Sequence, residues 1–227
     1  MGTAIQSFDL GPDDFGGPEY EGCNEYLVVT RPDVIESIHQ GHLDAGADII
    51  ETDTFGAMPI VLAEYSLAHE ARRLNREAAV IALKAADAAA TPEKPRFVAG
   101  SMGPTTKTIS VTGGVTFEEL ADSYHVQASG LIEGGADLLL LETGQDTLNI
   151  KAGLEGIDRA FVELGREIPV AVQGTVEPMG TLLAGQDVEA LYISLAHRDL
   201  LWIGINCATG PQFMTDHIRT LAGLSRF

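Results

Sequence analysis

The residues able to do chemistry gather where aliphatic runs end. Cys207 follows Leu201-Trp202-Ile203-Gly204-Ile205-Asn206 and precedes the flexible Ala208-Thr209-Gly210-Pro211. A thiol placed there is either a small buried hydrophobe or, on an open strand end, a metal ligand, because thiolate is a strong zinc donor. Glu142 comes directly after Leu138-Leu139-Leu140-Leu141. An unpaired carboxylate among leucines is costly, so Glu142 belongs at a strand mouth or against a fixed partner, with a plain structural hydrogen bond as the alternative. Thr54, two residues beyond Thr52, is a rim hydroxyl able to meet a substrate or a cap for the next helix. Gly103-Pro104-Thr105-Thr106 beside Lys107 offers backbone amides, yet lacks the glycine spacing of a phosphate cradle. Cys23 reads as an incidental, exposed loop thiol. His39, His42, His69, His125, His197 and His217 have no metal-site spacing and read as surface or helix-face residues.

The elements that must position these groups alternate. The runs 48–52, 96–100, 137–142, 169–173 and 201–205 are strand-length and almost continuously apolar, as parallel strands buried on both faces require. Between them, residues 32–45 place Val34, Ile35, Ile38 and Leu43 near one face, and 58–90 are rich in helix formers. Thr116 and Glu119 have the spacing of a capping box, and Asp146 caps a helix that stops at Gly165. Leu43-Asp44-Ala45-Gly46-Ala47-Asp48 and Ile132-Glu133-Gly134-Gly135-Ala136-Asp137 are alike, each with a glycine to end a helix and an aspartate to open a strand. A recurring strand–helix unit of this kind predicts a right-handed parallel sheet. Polar residues at several strand ends, with no dinucleotide or P-loop fingerprint, favour a (β/α)8 barrel over an open sheet. A full barrel takes about 250 residues and eight strands. The expectation is therefore an α/β chain with an incomplete barrel, its first strand and last two strands largely missing.

Composition narrows the function. A net charge of −19 repels phosphate backbones and anionic lipid, which argues against nucleic acid or membrane as partner. No apolar run reaches the length of a membrane span, the start lacks the pattern of a signal peptide, and two cysteines form no disulfide framework. A cytoplasmic protein is expected.

Taken in order, the motifs resemble those of the homocysteine-binding S-methyltransferases. Met1-Gly2-Thr3-Ala4-Ile5-Gln6 is similar to the tail of that family's opening segment. Residues 45–55 resemble its second strand, with Asp53 where Asn is more usual, and 98–105 resemble its third. Residues 134–143 with Asp146-Thr147-Leu148-Asn149-Ile150-Lys151-Ala152 resemble the fourth strand and its helix, and Gly204-Ile205-Asn206-Cys207-Ala208 the sixth. The stretch from Asn24 to Ile35 and the segment Asp146 to Ala152 bring the chain closest to the N-terminal module of cobalamin-dependent methionine synthase.

The resemblance implies one partial homocysteine-binding domain over 1–227. Within it, Thr54 and Glu142 would bind homocysteine, Glu142 through the amino group, with Gly103 and Asn206 in the site wall. Cys207 would be one of three zinc-binding cysteines. The Gly-Gly-Cys-Cys-Gly motif that carries the other two in the family is absent here, as is the Asp-Gly expected before Met1. The implied reaction transfers a methyl group from methylcobalamin, held on a separate module, to the homocysteine thiol, giving methionine. Folate- and cobalamin-binding modules are the implied partners. With one zinc ligand of three, the chain alone is expected to bind zinc weakly and turn over little. The alternatives are a non-catalytic remnant or binding scaffold, and an unrelated barrel lyase or aldolase. The last would need a Schiff-base lysine or a histidine set that the strand ends do not show.

Overall fold

The computed structural model describes residues 1–226. It contains nine α-helices and five strands among them. In chain order these are α1 (Gly2–Ile5), α2 (Leu27–Thr30), α3 (Pro32–Asp44), β1 (Ile49–Glu51), α4 (Pro59–Leu62), α5 (Ala71–Ala89), β2 (Phe97–Met102), α6 (Phe117–Glu133), β3 (Leu138–Gly144), α7 (Thr147–Leu164), β4 (Val170–Gly174), α8 (Val188–Leu195), β5 (Ile203–Ile205) and α9 (Pro211–Leu224). The strands form one sheet in the order β1-β2-β3-β4-β5, so neighbours in sequence are neighbours in the sheet. Parallel pairing forces a crossover between each pair, and the helices supply it. Two compact units can be distinguished, Met1–Ser101 with Val126–Leu139, and Met102–His125 with the chain from Leu140 onward.

In the first unit β1 runs parallel to β2, with Ile49, Ile50 and Glu51 opposite Phe97, Val98 and Ala99. The two similar turns do the same job. Gly46 (φ 101°) and Gly135 (φ 94°) take the left-handed backbone that ends each helix. Arg96 then donates to the Ala47 carbonyl and to Asp48 at the foot of β1. At the second turn the Asp137 amide donates to the Val98 carbonyl, and its carboxylate accepts from the Val98 amide. Helix α6 lies close against α5. A Cβ on Gly130 would stand 2.4 Å from the Arg72 carbonyl oxygen, and one on Gly134 2.5 Å from that of Arg76. Leu27, Ile35, Leu62 and Leu74 are fully buried in the core beneath α3 and α5.

The second unit pairs β4 with β5 in parallel, Val172 opposite Ile203 and Gly174 opposite Ile205. Both expected caps form. The Glu119 carboxylate accepts from the Thr116 amide while Thr116 Oγ1 accepts from the Glu119 amide. Asp146 accepts from the Leu148 amide at the start of α7, and Gly165 (φ 61°) ends it.

One expectation needs correction. Cys23 is not an exposed loop thiol but is fully buried, and burial pushes its thiol up to about 12. Two others become more specific. The helix formers of 58–90 are divided between α4 and α5, with Ser66 in a left-handed conformation (φ 60°) between them. His39 is a helix-face residue of α3, and a buried one: it is 1% exposed, and loss of hydration lowers it to about 4.

Candidate functional site

In the second unit, β3 and the end of β5 bring four polar residues together. Asn206 stays in register beyond β5 because its amide donates to the Gly174 carbonyl at 3.0 Å. Its side chain is the hub. Oδ1 accepts from the Thr143 amide at 3.0 Å, while Nδ2 donates to Glu142 Oε2 at 2.8 Å and to Thr143 Oγ1 at 2.9 Å. That set of partners fixes the amide orientation, oxygen toward N–H and nitrogen toward carboxylate. The Cys207 sulfur lies 3.5 Å from Thr143 Oγ1 and 3.5 Å from Asn206 Nδ2. Thr175 donates to the Asn206 carbonyl at 3.1 Å.

The backbone here is unusual. Thr143 (φ 56°), Cys207 (φ 61°) and Ala208 (φ 50°) all adopt left-handed conformations. For a β-branched residue that is a true outlier, of a kind that costs about 1–3 kcal/mol and that concentrates at functional sites. Its effect is visible. Strand alternation would send the Glu142 and Thr143 side chains to opposite faces, yet one Asn206 amide nitrogen reaches both.

Glu142 is largely buried and shares a small void with the loop after β2. Pro104 and Thr108 from that loop line a void of about 10 Å³ with Tyr124, Glu142, Gly144, Gln145, Asn149 and Ile150. Gly103 is buried, with its carbonyl accepting from the Tyr124 hydroxyl at 2.9 Å. Cys207 is exposed, which answers the choice left open for it: it is not a core hydrophobe.

Thr54 belongs to the first unit, and no helix is capped by it. Its hydroxyl donates to the Ser101 carbonyl at 2.7 Å and meets Thr52 Oγ1 at 2.5 Å, while Thr52 Oγ1 accepts from the Ser101 amide. The protons therefore run in a ring: Ser101 amide to Thr52, Thr52 hydroxyl to Thr54, Thr54 hydroxyl to the Ser101 carbonyl. Gln127 Nε2 donates to the Thr54 carbonyl at 2.7 Å. Next to it, Asp53 is 5% exposed and its Oδ2 has no hydrogen-bond partner. Burial, then the nearby Glu25 carboxylate, hold Asp53 well above the usual carboxylate range.

No three His, Cys, Asp or Glu among the described residues stand together as a metal-binding group. Cys207 has a hydroxyl and an amide beside its sulfur, neither a usual zinc donor. Among the described residues Cys207 is the one candidate zinc ligand at these strand ends.

Glu142, Asn206, Cys207, Gly103 and Thr54 are the residues the sequence singles out; the structure adds Thr143 as a partner of Asn206, and Thr52 and Ser101 as partners of Thr54. Their signal was present, since all three lie at the same strand ends. What selects them is backbone conformation and cross-strand contact, which residue types alone do not reveal.

A sequence model of the family described as homocysteine S-methyltransferase matches residues 1–226. The chain is 44% identical over 226 residues to methionine synthase of Mycobacterium leprae, covering all of this chain and 18% of that protein. It is 43% identical to methionine synthase of Mycobacterium tuberculosis, covering 19% of it. It thus spans less than a fifth of the length of these curated relatives. Among solved structures, the metallated form of the homocysteine methyltransferase MmuM from Escherichia coli superposes with a TM-score of 0.80 at 23% identity, over 99% of this chain and 78% of that one. That likeness shows the fold, and the ordered five-stranded sheet is the greater part of a (β/α)8 barrel. The chain belongs to the homocysteine S-methyltransferase family.

Proposed function

We propose that this chain is a partial domain, 1–227, that binds homocysteine for methylation to methionine, as one module of a methionine synthase. The observation that carries the reading is the cluster Glu142–Asn206–Thr143–Cys207 on the strand ends of a chain in this family. Glu142 supplies a carboxylate for the amino group of the amino acid, held in place by the Asn206 amide. Asn206 and Gly103 form the wall in the second unit; Thr54, in the first unit, is a candidate substrate contact carried over from the family resemblance, its hydroxyl donating to the Ser101 carbonyl. Fixing the amino-acid end in this way limits where the sulfur can point, which is the entropic part of the catalysis.

Zinc dependence is part of the proposal. Cys207 would supply one ligand, and zinc, where bound, would favour the thiolate form of the homocysteine sulfur near neutral pH. The methyl donor would be methylcobalamin on another module, and the partners the folate- and cobalamin-binding modules of a longer protein. The size of the relatives, of which this chain spans 18–19%, supports such a modular setting. Homologues of this kind also support a cytoplasmic location, and no helix among the described residues is long and apolar enough to cross a membrane.

A second reading, a scaffold without turnover, is favoured by one observation: the described residues assemble no metal-binding group. The test compares this chain with a polypeptide extended at both ends through its reading frame, assaying bound zinc and methionine formed from homocysteine and methylcobalamin. The extended polypeptide is expected to hold one zinc and make methionine, and this chain to do neither well. An extended polypeptide that folds yet does neither supports the scaffold.

A further inference from the structure

The segment Asp146 to Ala152 has a task that the substrate contacts do not absorb. Asn149, 7% exposed on the first turn of α7, accepts from the Ile109 amide through Oδ1 at 2.9 Å and donates from Nδ2 to the Lys107 carbonyl at 2.9 Å. Asp146 is fully buried. One of its oxygens caps α7 at the Leu148 amide, and the other accepts from the Ser110 amide at 3.0 Å. Two side chains of one helix start therefore hold three residues of the loop by their main chain, Lys107 at its carbonyl and Ile109 and Ser110 at their amides. Farther along, the loop closes on itself, with the Gly113 amide donating to the Thr108 carbonyl and Thr108 and Thr112 exchanging amide-to-hydroxyl bonds. Pro104 and Thr108 of this loop line the void of about 10 Å³ that Glu142 also lines.

We infer that Asn149, with Asp146, is a positioning residue: it latches the loop 103–113 as a fixed roof on Glu142, and so sets the affinity of the site for the ammonium group of an α-amino acid. This deepens the homocysteine reading and rests on it. The physical reason is twofold. A carboxylate covered by Pro104 and Thr108 is shielded from water, which strengthens its pairing with a cation. A loop with its own turn but no anchor to α7 would move as a body and leave that carboxylate wet. The Asn149 side chain is taken up by the loop backbone at Ile109 and Lys107, so its loss should act on substrate binding and not on transfer.

Two variants test this. Asn149→Ala removes both bonds of that side chain. Ser110→Pro removes one loop amide while leaving Asp146 free to cap α7, so it separates unlatching from damage to the helix. The first readout, on this chain, is amide hydrogen exchange with tryptic cleavage after Lys107. Both variants are expected to exchange faster across 105–113 and to be cut sooner, with α3 and α5 unchanged. The second, on the extended polypeptide, is the KM for homocysteine against kcat. KM is expected to rise about tenfold, with kcat falling by less than threefold; a tenfold change corresponds to about 1.4 kcal/mol. Unchanged exchange in the loop overturns the latch. A released loop with KM unchanged overturns the positioning role while leaving the homocysteine reading intact. A parent polypeptide that does not use homocysteine at all sinks that reading, and the ammonium assignment with it, whatever the exchange data show.

Discussion

At the scale of single residues, burial decides more than identity. Of the two thiols, Cys207 is exposed and Cys23 is buried. Native iodoacetamide should therefore label Cys207 alone, with Cys23 reacting only after denaturation; mass spectrometry of the labelled peptides reads this, and native labelling of Cys23 would contradict it. Asp53 carries a sharper consequence. Its carboxyl is held well above its ordinary value by burial and by Glu25. A group raised in the folded state contributes stability that is complete below the unfolded value of 3.8 and drains away as pH rises toward the folded value. Asp53→Asn, the residue more usual in the family, stays neutral at every pH. The variant should melt several degrees above the parent at pH 8, since 1 kcal/mol is worth about 2–4 °C in a chain of this size. The gain should shrink toward pH 4, and thermal melts across that range decide it: an equal gain at both ends refutes the assignment. The sequence exposed Asp53 as a departure but not its missing partner, because only the fold reveals that Oδ2 is enclosed with nothing to bond.

At the scale of elements, the strands were readable because parallel strands buried on both faces are unbroken aliphatic runs, and all five appear within a few residues of where the runs lie. Caps were readable for the same local reason: Thr116 with Glu119, and Asp146 with Gly165, are short-range chemistry. The break at Ser66 was not, since a serine in a left-handed conformation has no compositional signal. Nor was the close approach of α5 and α6, which depends on residues distant in sequence. Gly130→Ala tests that contact. Its methyl would stand 2.4 Å from a backbone oxygen that cannot swing away, so a loss of about 1–3 kcal/mol is expected in denaturant unfolding despite the better helix propensity of alanine. A variant as stable as its parent would show that the helices separate at no cost.

At the scale of the whole molecule, the barrel was legible from repetition: two like turns, alternating strands and helices and polar groups at several strand ends. A metal role for Cys207 is a proposal, since the described residues gather no metal-binding group around it. Among the described residues β1 and β5 are the terminal strands of the sheet, and an exposed terminal strand invites association. Size-exclusion chromatography should show concentration-dependent association, reduced by Ile49→Lys on the half-exposed edge of β1; a compact monomer at all concentrations would contradict this. The central claim concerns what the strand ends hold. Calorimetric titration of homocysteine into the extended polypeptide and its Glu142→Gln variant tests it most directly, because glutamine keeps the shape and the Asn206 bond but loses the charge. The account predicts a loss of about 10–100-fold in affinity, the worth of a charged hydrogen bond at about 1.5–3 kcal/mol, with the fold intact. Equal affinity in parent and variant would remove Glu142 from the site and contradict the account.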